Sequence, residues 1–124
     1  MIALDTSSLV HYLAGSEGSD VAAVDTALLE SQGCLPPVVL GELLSDPSLP
    51  KTVERVLLQL PMLDVDPGHW ERAGRLRASL LRQGHKAKLA DTLIAQCCLD
   101  HGAPLITRDD DFRHFVAAGL RLFP

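Results

Sequence analysis

The chain alternates short apolar runs with longer stretches of helical period. Ile2-Ala3-Leu4 is a three-residue apolar run that reads as a buried strand. Asp5-Thr6-Ser7-Ser8 follows, with side chains suited to cap a helix over about residues 7–14 that Gly15 ends. A second helix is predicted over about 20–31, ending near Gly33, before Cys34-Leu35 begins another strand. Pro36-Pro37 suits the first turn of a helix from Val38 to Leu44, and a fourth helix covers about Pro50 to Leu60. Met62-Leu63-Asp64-Val65-Asp66 alternates as a partly exposed strand would. Pro67 opens a long helix through about Gln83, which Gly84 ends. Lys88 to Asp100 is strongly helical and stops at Gly102. Pro104 to Thr107 reads as a strand, Asp110 to Ala118 as a helix, and Leu120 to Phe123 as a last short strand.

Short apolar strands separated by helices predict an α/β sandwich around a mainly parallel sheet. In such folds ligands bind outside the carboxyl ends of the strands. Asp5 and the Thr107–Asp109 segment both stand where a predicted strand ends, which is the first link from pattern to chemistry. The 124 residues fit a single domain, 1–124, large enough to bury about two-thirds of its unfolded surface. Nearly half the residues are apolar, almost all aliphatic, with one Trp and one Tyr, which favours helices packed on a buried sheet over an all-β fold.

Charge sharpens this picture. Residues 1–71 carry eleven acidic side chains against Lys51 and Arg55, a net of −9, whereas residues 72–124 carry nine basic against five acidic, a net of +4. The overall −5 therefore hides a basic second half, with six cations between Arg72 and Lys88. A nucleic-acid partner needs such a surface, although a solvated helix face has the same composition. Three cysteines, Cys34, Cys97 and Cys98, do not make a disulfide framework and suit a reducing cytoplasm. No targeting segment is visible, and no run approaches the ~18 apolar residues of a membrane span.

The unusual carboxylates are those inside apolar segments. Asp5 separates an apolar strand from a Thr/Ser cap, Glu42 interrupts Val38–Leu44, and Asp91 interrupts Leu89–Ala95. A buried lone carboxylate is costly unless it meets a cation or several donors. Each of the three lies in a segment expected to be mostly buried, and together with Asp109 at a strand end they are expected to converge. Convergent carboxylates need a divalent cation, and hard oxygen donors suit Mg2+ or Mn2+. Such a cation also reconciles an acidic protein with a polyanionic substrate. Each acid has an ordinary explanation too: Asp5 as a helix cap, Glu42 as a surface or paired residue, Asp91 as a helix-dipole partner, and Asp109–Asp111 as a solvated turn. Spacing alone leaves both readings open.

In order and spacing, Ile2-Ala3-Leu4-Asp5-Thr6-Ser7, Gly41-Glu42-Leu43, Leu89-Ala90-Asp91-Thr92-Leu93-Ile94-Ala95 and Leu105-Ile106-Thr107-Arg108-Asp109-Asp110-Asp111-Phe112 resemble the PIN domain of VapC-type toxins over essentially the whole chain. The resemblance implies a three-layer α/β/α sandwich and an endoribonuclease that binds one or two Mg2+ or Mn2+ ions through Asp5, Glu42, Asp91 and Asp109. It makes Ser7 and Thr107 supporting polar groups and Asp111 a further acid. It also implies a cognate antitoxin bound in a hydrophobic groove, and a homodimer. Arg72, Arg75, Arg82, Lys86, Lys88 and Arg108 are then candidates to hold the RNA backbone.

Competing readings fit less well. An aspartyl phosphatase needs a second acid two residues after the first, where this chain has Ser7. A PIN-fold binding module without catalysis is the other alternative, and the presence of all four acids gives it little support. Cys97, Cys98 and His101 share helical spacing, but a zinc site wants four ligands, so buried core cysteines are expected. His11, His69, His85 and His114 sit beside no recognisable nucleophile, and Trp70 is expected in the core or at an interface.

Overall fold

The computed structural model describes residues 1–124. In chain order the elements are β1 (Ile2–Leu4), α1 (Thr6–Leu13), α2 (Ser19–Leu29), β2 (Gly33–Cys34), α3 (Pro37–Leu44), α4 (Lys51–Gln59), α5 (His69–Arg82), α6 (Leu89–His101), β3 (Leu105–Ile106), a 3-10 helix (Asp110–Ala118) and β4 (Leu122–Phe123). The four strands form one parallel sheet in the order β2-β1-β3-β4. Ala3 aligns with Cys34 on one side and with Leu105 on the other, and Leu4 aligns with Ile106.

This order has a functional consequence. From β1 the chain leaves toward β2, whereas from β3 it leaves the opposite way, toward β4. β1 and β3 are neighbours across that reversal, and the crevice beyond their carboxyl ends is where open parallel sheets bind ligands. Crossovers in opposite directions also distribute the helices over both faces. α1 packs with α2, while α6 packs with α5, α3 and the 3-10 helix. The sheet is apolar through its thickness, and Ala3, Leu4, Cys34, Leu105 and Ile106 are buried beneath Leu9, Val24, Ile94 and Phe112. No helix is long and apolar enough to cross a membrane.

Four expectations change. Met62–Asp66 is not a strand: Met62 makes a single parallel bridge to Leu35, because β2 itself is only two residues long and gives a neighbour little to pair with. The helix expected from Pro67 begins at His69, after Gly68 turns the chain at φ +83°. The segment Asp110–Ala118 is a 3-10 helix, the tighter coil used for short connections. Trp70 is not core; it is 63% exposed, with its ring meeting the buried His69 edge-on.

Candidate active site

The acidic centre begins at the paired ends of β1 and β3. Asp5 follows β1, and its backbone N–H donates to the Ile106 carbonyl at 2.9 Å, so the sheet ladder itself fixes its Cα. The side chain is 4% exposed. Its Oδ2 accepts from Ser7 Oγ at 2.6 Å and Thr107 Oγ1 at 2.8 Å, with the Ser7 amide at 3.4 Å as the helix-cap contact. These donors hold one oxygen and orient the carboxylate into the crevice.

Three helices bring the other acids to it. Glu42 lies on α3, where Val39 and Leu43 face the core. Glu42 itself is exposed, contrary to the expectation of burial, because an eight-residue apolar helix still has an outer side. Its Oε1 accepts from Thr6 Oγ1 at 2.8 Å, across from the start of α1. Asp91 occupies the first turn of α6. Asp109 caps the 3-10 helix: its Oδ1 accepts from the Asp111 amide at 2.9 Å, and its own amide donates to Thr107 Oγ1 at 3.0 Å. Asp5, Thr6, Ser7, Glu42, Lys88, Asp91 and Asp109 line one cleft. Asp91, Asp109 and Asp111 each offer a carboxylate oxygen within 4.8 Å of the others.

The electrostatics follow from this crowding. Burial, then the charges of Asp109 and Asp5, push the Asp91 carboxyl up to about 6; Glu42 adds to the rise and Lys88 opposes it. A mere helix-dipole partner would be held down, not raised. Asp111 differs in having Lys86 Nζ at 3.7 Å. The donor set is oxygen only. Cys97 and Cys98 are buried in the core, with burial raising both thiols, and His101 Nε2 is engaged at 2.8 Å with the Asp64 carbonyl. A hard divalent cation fits these residues, and a soft one does not.

The sequence profile of the PIN domain matches residues 2–117. The chain belongs to the PIN-domain family. Ribonuclease VapC11 of Mycobacterium tuberculosis is 32% identical over 123 residues, covering 90% of this chain and 89% of the relative. The crystal structure of FitAcB from Neisseria gonorrhoeae superposes with a TM-score of 0.75 at 25% identity, over 100% of this chain and 97% of that one. VapBC-5 of Mycobacterium tuberculosis, a member of the VapBC family of toxin–antitoxin systems, has the same fold, with a TM-score of 0.65 at 24% identity over 98% of each chain.

The cations of this PIN domain divide into two groups. Arg75, Arg82, Lys86 and Lys88 are exposed on α5 and the loop that follows, and Lys88 reaches the acidic cleft. Arg72 instead grips Asp100 through Nε and Nη2 at 3.0 and 2.8 Å, tying α5 to α6. Arg108 grips Asp20. Arg77, given no role by sequence, donates from Nε to the Ala87 carbonyl at 2.7 Å and pins the loop that carries Lys86 and Lys88.

The resemblance implies a hydrophobic groove, but the sequence does not place it; the structure has an apolar trough beside α1. α1, α2 and α4 surround it with Leu9, Leu13, Leu28, Val56, Leu57 and Leu60. A second trough shares Leu13 and Val53 with the first and runs to Thr6 and Glu42 at the edge of the acidic cleft. The signal was present in α4, where Val53, Val56, Leu57 and Leu60 recur at helical spacing although Val56 is exposed.

Proposed function

We propose that this PIN domain is a Mg2+- or Mn2+-dependent endoribonuclease, the toxin of a toxin–antitoxin pair. The observation that carries the reading is the convergence of Asp5, Glu42, Asp91 and Asp109 on one cleft at the sheet's switch point, with the Asp91 carboxyl raised by its neighbours. The 32% identity to a named ribonuclease supports RNA as the substrate.

Asp5, already oriented by Ser7 and Thr107, and Asp91 would hold the principal cation, with Asp109 and Asp111 beside them. A bound divalent cation supplies Lewis-acid charge that stabilises the phosphate oxygens and favours attack by water. Glu42, fixed by Thr6, is placed to orient that water. Lys88 at the rim attracts the scissile phosphate, and Arg75, Arg82 and Lys86 extend a basic track for the strand. The expected products carry a 5′-phosphate and a 3′-hydroxyl.

The two connected troughs support the antitoxin part of the reading. An amphipathic segment laid over Leu13 and Val53 ends beside Glu42, where a basic side chain would meet the acidic cleft. A homodimer and a cytoplasmic location complete the proposal, and the three unpaired cysteines suit that compartment.

The test is cleavage of total cellular RNA by purified, antitoxin-free protein with Mg2+ or Mn2+, with 5′ ends mapped beside Asp5→Asn and EDTA controls. Discrete cuts that vanish in both controls are expected. Undiminished cleavage by Asp5→Asn would rule out the site.

A further inference from the structure

Arg108 stands between two residues of the acidic centre, yet its side chain points away from it. Nε donates to Asp20 Oδ2 and Nη2 to Asp20 Oδ1, both at 3.0 Å, and Nη2 also donates to the Glu17 carbonyl at 3.0 Å. Asp20 lies in the first turn of α2 and is buried. Its Oδ2 receives a further bond from Ser8 Oγ of α1 at 2.9 Å. The hydrogen bond from Arg108 leads the causes that bring the Asp20 carboxyl down to about 2. The fit around the pair is close: at Gly18, where φ is +149°, a Cβ would come 2.6 Å from Asp20 Oδ1 and 2.7 Å from Arg108 Nη2.

The backbone on either side of Arg108 leads directly to the acids. Thr107 Oγ1 donates to Asp5 Oδ2 and accepts from the Asp109 amide. The Arg108 amide donates to Ser7 Oγ at 3.2 Å, and Ser7 Oγ donates in turn to Asp5. A two-point guanidinium–carboxylate fork restricts rotation as well as distance. Fixing Arg108 therefore fixes the residues one peptide unit away on each side, about 3.8 Å from Cα to Cα.

We propose that the Arg108–Asp20 pair is a positioning device that anchors the Thr107–Asp109 segment to α2 and so sets where the Asp109 carboxylate stands relative to Asp5 and Asp91. The inference rests on the metal-centre reading of those acids. It replaces the expectation that Arg108 holds RNA, since the guanidinium is already committed to Asp20 and the Glu17 carbonyl. Asp20 and Arg108 are positioning residues: their effect is on cation affinity and turnover, not on RNA affinity.

The test is Mn2+ binding by the full-length protein, read from the electron paramagnetic resonance of free Mn2+, together with kcat and KM for an RNA cut by the wild type. Asp20→Asn and Arg108→Gln are compared with Arg108→Lys, which keeps the charge but loses the fork, and circular dichroism confirms folding at the assay temperature. Asp20→Asn and Arg108→Gln should each weaken Mn2+ binding about tenfold and lower kcat by about 10–100-fold, leaving KM within about twofold. Arg108→Lys should lose part of both, and the double variant should be no worse than either single one. If Arg108→Gln raises KM while Mn2+ affinity holds, Arg108 is an RNA contact and the proposal is overturned. Folded variants that bind Mn2+ as the wild type does also overturn it, leaving the metal centre intact. Wild-type protein that binds no Mn2+ removes the metal-centre reading and this proposal with it.

Discussion

Replacing Asp91 by Asn should make the metal-free protein more stable while abolishing its activity. The Asp91 carboxyl is pushed from 3.8 to about 6, by burial first and by Asp109 and Asp5 next. A displacement of that size corresponds to about 3 kcal/mol between its two protonation states. Asp91 is only partly buried and the cleft is open to solvent, so screening reduces the expected gain to ~1–2 kcal/mol. The sign follows from proton linkage. A carboxyl whose folded pKa is raised contributes stability that is fully present below its unfolded value of 3.8 and lost as pH rises through about 6. At pH 7.5 the wild type therefore holds an ionised carboxylate that its own fold opposes, and Asn removes that charge at nearly constant volume.

Urea and thermal unfolding in EDTA at two pH values measure this. At pH 7.5 the variant should melt higher by on the order of 3–8 °C, and its advantage should shrink toward pH 4.5. Saturating Mn2+ should then stabilise the wild type, by about 2.7 kcal/mol at a hundredfold excess over Kd, and the variant much less. A variant less stable than the wild type in EDTA at pH 7.5 would refute the reasoning, because it would make Asp91 a helix-dipole partner. A gain of equal size at both pH values would refute the charge argument.

Four further outcomes are expected. Asp5→Asn should lose RNA cleavage while keeping the native circular dichroism spectrum, since Asn still offers an oxygen to Ser7 and Thr107; residual turnover near that of the wild type would contradict the assigned role. Phe112→Ala should cost about 3–5 kcal/mol in urea unfolding, because Phe112 is fully buried and packs on Phe115 at 5.9 Å between ring centroids; a loss under about 1 kcal/mol would mean the core collapses around the gap. Val53→Asp puts a charge where the two troughs meet and should release a co-expressed antitoxin during co-purification; an undiminished complex would place the partner elsewhere. Lys88→Ala should lower the salt dependence of KM for single-stranded RNA by about 0.7 in the log–log slope, and an unchanged slope would remove Lys88 from the phosphate track.

The parts of the fold that sequence makes legible are those with a local cause. β1, the Asp5 cap and α1 form one continuous signal: three apolar residues, then an acid with extended backbone, then hydroxyls. The ends of α5 and α6 are equally local, since Gly84 and Gly102 take left-handed φ values of +81° and +61°. What fails depends on distant partners. The alternation of Met62–Asp66 is that of a strand, but a strand needs a neighbour, and Leu35 offers one bridge only. Apolar neighbours in sequence suggest a buried Glu42, yet the outer side of α3 is decided by what the helix packs on. The Arg72–Asp100 and Arg108–Asp20 forks join residues 28 and 88 positions apart, and no periodicity announces either. In the sequence, Arg72 and Arg108 look the same as Arg75 or Arg82, because a cation with a distant partner has the same letter as one without.

The same dependence on distance explains how an acidic chain could process a polyanion. The carboxylates of the centre come from four separate places, after β1, on α3, at the start of α6 and after β3, and only the last of these carries neighbouring acids, Asp110 and Asp111. Four exposed cations, by contrast, lie close together in the chain: Arg75 and Arg82 on α5, then Lys86 and Lys88 in the loop that enters α6, Lys88 three residues before Asp91. Arg77 fixes that loop by its bond to the Ala87 carbonyl, and Ala87 is itself buried. These cations thus reach the rim of the cleft on one connection held by that bond, while the acids come together only through the packing of the sheet and helices. An acidic centre assembled from distant segments and a run of cations that is local make separable demands on the sequence. Substitutions in the 82–88 segment should therefore change how RNA approaches, and substitutions among the four acids should change whether it is cut.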